Sequence, residues 1–207
     1  MTTAGQIVVS IARAELERGV REIPDGSNTS PRIREYQAAT WLPGTGWPWC
    51  LGFANWVARE AGYPFPFPSA GAYDFLARGK KAGWATSTPR VGAVAIFNVG
   101  AGHGAIVEKY DAATVTTIDG NVGNRVSRNT RSRSSVRGYV IHPRLASGPV
   151  PVVKVPKKAK RVPWYEIVSS SGGKKHLVVS GRPYAQLVAF LPRVLARWKN
   201  IEIRRTR

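Results

Sequence analysis

Hydrophobic residues in the first part of the chain recur at the spacing of amphipathic helices. One such face is formed by Ala4, Ile7, Ile11 and Ala14. This helical period predicts a first helix that ends at Gly19, and a similar pattern predicts a second helix within residues 28–39. A third helix is predicted over Cys50–Glu60, because Gly62 and Pro64 follow it as typical C-terminal stop signals.

From Val91 onward, apolar and polar residues alternate in the manner of β-strands. The alternating runs are VGAVAIF (91–97), HGAIVEKY (103–110), ATVTTID (113–119) and RGYVIH (137–142). Helices first and strands later predict an α+β fold, in which N-terminal helices pack on an antiparallel sheet.

A proline- and lysine-rich segment, GPVPVVKVPKKAKRVP, separates two parts of the chain. Proline favours extended backbone and like charges repel, so residues 148–163 are predicted to be a semi-rigid linker. The linker follows a domain of residues 1–147 and precedes a small module of residues 164–207. WYEIV and KHLVV in that module predict two strands around a SSSGGK turn. A helix after Pro183 and a last strand near residues 200–204 complete a predicted ββαβ module.

Composition excludes several classes of protein. A hydrophobic fraction of 43% in 207 residues is enough for a core and excludes a wholly disordered chain. Apolar runs fall well short of the roughly 18 residues that span a bilayer, so we expect no membrane insertion. The N-terminus has no basic start and carries Arg13 and Glu15, which argues against a secretory signal. The single cysteine excludes internal disulfides, four-cysteine zinc sites and iron–sulfur clusters.

The net charge of +19 predicts an anionic partner. From Pro149 onward there are 14 basic and 2 acidic residues, against 17 and 10 before it. Nucleic acid, anionic lipid and anionic bacterial wall polymers all fit this sign. Zinc-finger spacing and the aromatic ribonucleoprotein signature are missing, so nucleic acid ranks below the wall. One segment contributes Arg125, Arg128, Arg131, Arg133 and Arg137; it is either a solvated, mobile face or a surface that captures an anionic wall.

Cys50 is the first candidate for chemistry. It begins the third predicted helix, where free N–H groups and the positive end of the helix dipole favour a thiolate. The alternative is a small, inert, buried hydrophobic residue, which is the usual state of a free cysteine.

His103 is the best placed of three histidines to serve as a base for this thiol. His142 precedes a proline at a strand end, and His176 lies beyond the linker. A hairpin loop at residues 110–112 would place Asp119 opposite His103, whereas a loop at 111–113 would place Asn121 there. In either register, Asp119 and Asn121 project on the same face as His103, because side chains alternate along a strand. The alternative is a strand-end histidine near a turn-forming Asp-Gly-Asn sequence.

Three separated motifs resemble the CHAP family of cysteine, histidine-dependent amidohydrolases and peptidases. They are GWPWCLGFANWVAREAG (46–62), GHGAIVE (102–108) and TIDGN (117–121), in that order. The segment at residues 21–37 also resembles the one that leads into the nucleophile in phage and actinobacterial members. The resemblance covers roughly residues 5–145 and implies a papain-like fold; the motifs of the related NlpC-type peptidases fit less well.

The resemblance implies a catalytic role for each motif. Cys50 matches the nucleophile, His103 the base and acid, Asp119 the orienting acceptor, and Asn121 a polar residue that adds a neutral hydrogen bond. The backbone N–H of Cys50 matches an oxyanion donor. Among the nearby indoles, Trp56 is expected in the core. Trp47 and Trp49 are expected either in the core or on the floor of a substrate groove, where they would bind sugar and peptide faces.

The function expected from these residues is hydrolysis of a peptidoglycan amide bond, as an N-acetylmuramoyl-L-alanine amidase or a peptidoglycan endopeptidase. We expect no cofactor and no metal, because the stretch before Cys50 lacks the carboxylates of the calcium loop found in some phage members. We expect a hydrolase of the bacteriophage endolysin type, which would remain in the host cytoplasm until lysis and bind the wall through its basic C-terminal module. A virion-borne lysin would have the same sequence features. The alternative is a non-catalytic basic protein that binds wall polymer or nucleic acid.

Overall fold

A computed structural model describes residues 3–146, 164–171, 174–183 and 201–205, the last three ranges as backbone alone. By backbone proximity the chain divides into two units, Met1–Val150 and Pro151–Arg207.

The first unit has five α-helices and six strands among its described residues. The helices are α1 (Ala4–Glu17), α2 (Pro31–Gln37), α3 (Cys50–Glu60), α4 (Ala72–Lys81) and α5 (Pro143–Ala146). The strands are β1 (Ala85–Thr86), β2 (Val94–Phe97), β3 (His103–Tyr110), β4 (Thr114–Asp119), β5 (Ser127–Ser132) and β6 (Val136–Val140), with a 3-10 turn at Arg133–Ser135 before β6. The α+β class is confirmed, and α3 and β3 have the predicted bounds.

Local capping explains where the first two helices begin. Thr3 accepts a hydrogen bond from the Gln6 backbone N–H while the Gln6 side chain accepts one from Thr3, a capping box that starts α1. The second helix lies within the predicted residues 28–39. Its start is fixed at Pro31 because the Ser30 side chain accepts from the Ile33 N–H, and proline fits the first helical position.

The antiparallel sheet has the strand order β1-β6-β2-β3-β4-β5. One face of it buries a hydrophobic cluster, which includes Ala95, Phe97, Ala105, Val107, Val115 and Tyr139. The opposite face meets α3 at Gly104, where an added Cβ would lie 2.4 Å from the Leu51 side chain. Glycine at this point therefore lets the helix that begins with Cys50 lie directly against the strand that begins with His103.

Helix α4 and strand β5 are among the elements of the first unit that the sequence did not predict. Helix α4 follows Gly71, which provides no side-chain cap, so its start carries no sequence signal. Strand β5 lies in the arginine-rich segment and pairs with β4 along its whole length. Backbone pairing orders this segment although it has no apolar alternation, and its residues alternate between half-buried and exposed.

The second unit contains a three-stranded antiparallel sheet in the order β8-β7-β9. Its strands are β7 (Trp164–Ser171), β8 (Lys174–Pro183) and β9 (Ile201–Arg205). The linker predicted at residues 148–163 and the helix predicted after Pro183 lie outside the described residues. Within the described part of the chain, no helix combines the length and apolar character needed to cross a membrane.

Candidate active site

The thiol of Cys50 lies at the start of α3 and is buried. Burial opposes the thiolate, but other contacts outweigh it. His103 provides a hydrogen bond and a favourable charge, and the backbone groups of Gly104 and Leu51 provide further hydrogen bonds. Together these contacts hold the pKa of the Cys50 thiol below its ordinary value. A lowered thiol pKa is the electrostatic condition that a reactive cysteine requires.

His103 bridges the thiol and a buried carboxylate. Its Nε2 lies 2.9 Å from Asp119 Oδ2, and its side chain is also hydrogen-bonded to Cys50. Burial disfavours the imidazolium, yet hydrogen bonds to Asp119 and Cys50 raise the pKa of His103 to about 9. Because Nε2 faces the carboxylate, Nδ1 is the ring nitrogen left for the thiol.

Asp119 ends β4 and is fully buried. Burial raises the pKa of this carboxyl group, but the hydrogen bonds of His103 and Thr117 and the charges of His103 and Arg131 lower it to a net value below its usual range. Thr117 Oγ1 donates to Oδ1, and Arg131 Nη2 lies 2.7 Å from Oδ2. A buried carboxylate with this set of donors is stable as the anion.

The register of the β3–β4 hairpin brings the acid and the base together diagonally. Asp119 lies opposite Ala105 rather than opposite His103, and the loop occupies residues 111–113. This is the second of the two predicted registers. A shift in the pairing between Val107 and Lys109 adjusts the hairpin near its loop. The carboxylate still reaches His103, because both side chains project from the same face.

Asn121 does not occupy the predicted place beside the imidazole, since both ring nitrogens of His103 face other groups. Its backbone is left-handed, with φ 61°, and its Nδ2 donates to Asn28 Oδ1 at 3.0 Å. With the amide reversed, the nitrogen instead donates to Glu22 Oε1 (3.0 Å) and the oxygen accepts from the Trp49 N–H (3.3 Å). Asn121 therefore contacts the residue that precedes the nucleophile.

Glu22 is a buried residue of this network that sequence reasoning missed. Its carboxylate accepts from Trp49 Nε1 at 2.9 Å and from the Asn28 backbone N–H at 2.8 Å. Gln37 donates to the backbone oxygens of Asn28 and Trp47. These bonds attach the segment before α2 to the loop that leads into α3, which fixes the start of the helix that carries the thiol. The only signal was the resemblance of residues 21–37 to a segment upstream of the nucleophile.

The two predicted substrate-binding tryptophans differ in accessibility. Trp49 is fully buried and tilted against Tyr36, so the substrate-groove alternative is wrong for Trp49. Trp47 is half-buried and donates from Nε1 to the Gly44 oxygen at 3.2 Å. Trp41 and Leu42 in the same loop are exposed. Trp56 packs in the core as expected.

The other histidine of the first unit has a different environment. The ring centroid of His142 lies 4.8 Å from Trp84 and 5.5 Å from Tyr63. Burial lowers its pKa, and the charge of Arg144 lowers it further. His142 is thus an aromatic packing residue. No group of three metal-ligating side chains occurs among the residues that the structure describes.

A thiol at the start of a helix, beside an imidazole that also contacts a buried carboxylate, is an arrangement that suits nucleophilic chemistry. A thiolate of this kind can attack a carbonyl carbon, and the imidazolium can then give its proton to the leaving group. The sequence model of the CHAP domain matches residues 42–121. This match confirms the resemblance to the CHAP family over residues 42–121. The match does not extend to the upstream segment at residues 21–37. CHAP domains are generally hydrolases that act on peptidoglycan. Comparison with curated proteins and with solved structures yields no match.

Proposed function

We propose that this protein hydrolyses an amide bond of peptidoglycan, with Cys50 as nucleophile. The observation that carries the proposal is the position of His103, hydrogen-bonded to the thiol on one side and to Asp119 on the other. In this proposal Asp119 orients the imidazole and stabilises its charged form. Asn121 and Glu22 fix the start of α3 through Trp49, and the half-buried Trp47 contacts the substrate.

The reaction proceeds through a thioester. The Cys50 thiolate attacks the carbonyl carbon, and the backbone N–H of Cys50, at the first position of a helix, stabilises the oxyanion. His103 gives its proton to the leaving nitrogen as the C–N bond breaks, which releases an amine. His103 then removes a proton from water, and the resulting hydroxide attacks the thioester. Collapse of that intermediate releases a carboxylic acid and restores the thiolate and imidazolium pair.

The role that we propose for the whole chain is that of a bacteriophage endolysin. The basic residues after Pro149 would hold the enzyme on anionic wall polymers and so raise its local concentration at the substrate. Expression inside a bacterium whose membrane has been permeabilised tests this role. We expect the wild-type chain to lyse the cells from within and Cys50→Ala to leave them intact.

Digestion of purified Gram-positive walls tests the catalytic proposal directly. Wild-type protein should clear the suspension, and Cys50→Ala should not, because it lacks the nucleophile. Mass spectrometry of the fragments identifies the bond: a free N-terminal L-alanine indicates an amidase, and a new amine within the stem or cross-bridge indicates an endopeptidase. If both proteins bind walls from several hosts and neither releases fragments, the catalytic proposal fails and the non-catalytic binding function replaces it.

A further inference from the structure

Arg131 reaches the candidate active site from β5, the strand at the edge of the sheet. Its Nη2 lies 2.7 Å from Asp119 Oδ2, the same oxygen that faces His103 Nε2. Its Nη1 donates to Thr117 Oγ1 at 3.1 Å. The guanidinium carbon also lies 4.8 Å from the centre of the Phe97 ring. Only 23% of the side chain is exposed.

These contacts close a ring of hydrogen bonds around the carboxylate. Thr117 accepts from Arg131 and donates to Asp119 Oδ1, while Arg131 also bonds Oδ2 directly. A carboxylate held at both oxygens cannot rotate away from the imidazole without breaking charge-assisted bonds. Arg131 therefore fixes the orientation of Asp119, and Asp119 in turn orients His103.

Arg131 also changes the charge that His103 experiences. A bare buried carboxylate would stabilise the imidazolium strongly, and its negative charge would disfavour the neighbouring thiolate. The guanidinium beside Asp119 offsets that negative charge, so the imidazole meets a nearly neutral ion pair. The Asp119–Arg131 pair therefore resembles a neutral hydrogen-bond acceptor in charge while keeping the geometry of a carboxylate.

We propose that Arg131 is a positioning residue of this active site, which holds Asp119 in line with His103 and balances its charge. This inference rests on the proposed function, in which His103 exchanges protons with Cys50 and the substrate. Arg131 acts through Asp119 in this scheme and does not contact the reacting atoms.

The sign of the pH effect follows from the charges around the pair. Among the described residues, the titratable and charged groups facing His103 and Asp119 are Cys50 from α3 and Arg131 from β5; β2 adds the uncharged ring of Phe97. Removal of a nearby positive charge raises the pKa of both the thiol and the imidazolium. Both limbs of the bell-shaped pH profile of wall digestion should therefore move to higher pH, by about one unit.

The test compares Arg131→Met and Arg131→Lys in the full chain. Because Cys50 is the only cysteine, the rate of its alkylation by iodoacetamide reports the thiolate directly at each pH. We expect the midpoint of alkylation and both limbs of the wall-digestion profile to move upward in Arg131→Met. Both should return toward the wild-type position in Arg131→Lys, which keeps the charge. Wall digestion should fall about tenfold or more in Arg131→Met, by comparison with other groups that assist proton transfer.

Arg128→Met is the matched control. Arg128 lies on the same strand and pairs with the carboxylate of Glu108 at 2.6 Å, away from His103. This variant should lose stability without moving the pH profile. An unshifted profile in folded Arg131→Met overturns the proposal, as does a shift that Arg131→Lys fails to reverse. The alkylation assay needs no wall substrate, so failure of the proposed function, seen as inactive wild-type protein on every wall, is distinguishable from failure of this inference.

Discussion

Cys50 and His103 shift each other's pKa in opposite directions, and this defines the pH range of the reactive state. The pKa of the thiol is lowered, so the thiolate forms at a pH below the ordinary thiol value. The pKa of His103 is raised to about 9, so the imidazolium persists up to that pH. Between these limits the pair exists as thiolate and imidazolium. Activity that depends on the His103 proton should decline as the pH rises through about 9.

The variant His103→Ala tests this mutual stabilisation. Without the imidazolium, burial becomes the dominant effect on Cys50 and raises the pKa of the thiol. Alkylation by iodoacetamide near neutral pH should slow by about tenfold or more, and its midpoint should move to higher pH. The rate is followed by mass spectrometry over a pH series.

His142→Ala is the control for this experiment, because it removes an imidazole that packs on Trp84. Its alkylation profile should match the wild type. If His103→Ala instead reacts as fast as the wild type at neutral pH, then His103 does not activate the thiol.

At the scale of elements, the close approach of α3 to the sheet places the nucleophile beside the base. Gly120, directly after β4, lies against this helix. A Cβ at this position would lie 2.6 Å from Phe53 Cβ and 2.9 Å from the buried ring of Trp49. Contacts this short force β4 and α3 apart, and Asp119 is the neighbouring residue.

Gly120→Ala should therefore reduce both stability and activity. We expect the free energy of unfolding to fall by about 1–3 kcal/mol, as in other overpacked cores, and wall digestion to fall by more than the loss of folded protein explains. Denaturant titration and fragment release measure the two effects. Gly71→Ala provides the control, since its nearest contacts would be 3.7 Å and 3.8 Å. Equal effects of the two variants would show that the close approach at Gly120 is unimportant.

The sequence was informative for elements with strong periodicity and uninformative for those held by distant contacts. Helix α3 and strand β3 have clear apolar patterns and recognisable ends. Strand β5 consists of polar residues and owes its order to pairing with β4. The same division between local patterns and distant contacts applies to the candidate site. Local spacing singled out Cys50, His103 and Asp119, and in the structure His103 contacts both of the others.

Residues that reach the site through tertiary contacts could not be predicted from local spacing. Arg131 and Glu22 reach the site through the pairing of an edge strand and the path of a loop, which no local spacing encodes. For a related reason, the sequence left Trp49 open between the core and a substrate groove and placed Asn121 incorrectly. Their orientation depends on the buried carboxylate of Glu22 and on a left-handed turn at Asn121, and neither feature is visible as a period in the chain.

At the scale of the whole molecule, chemistry and charge are distributed unequally along the chain. Every described contact of the candidate site lies within residues 3–146. The residues from Pro149 onward carry 14 basic and 2 acidic side chains, and so contribute most of the net charge of +19. Attraction of these charges to an anionic wall is long-ranged at low salt and is screened beyond about 10 Å at 0.1 M ionic strength.

A chain that ends at Gly148 separates these two contributions. Its net charge falls to +7, while the contacts of Cys50 are retained, so the pH profile of alkylation should be unchanged. In the Cys50→Ala background, which prevents digestion, the shorter chain should bind purified walls more weakly than the full chain and with a smaller dependence on salt. Co-sedimentation over a series of salt concentrations measures this, with walls stripped of anionic polymers as the control. If both chains bind intact walls equally at every salt concentration, the basic C-terminal residues are not what holds the protein on the wall.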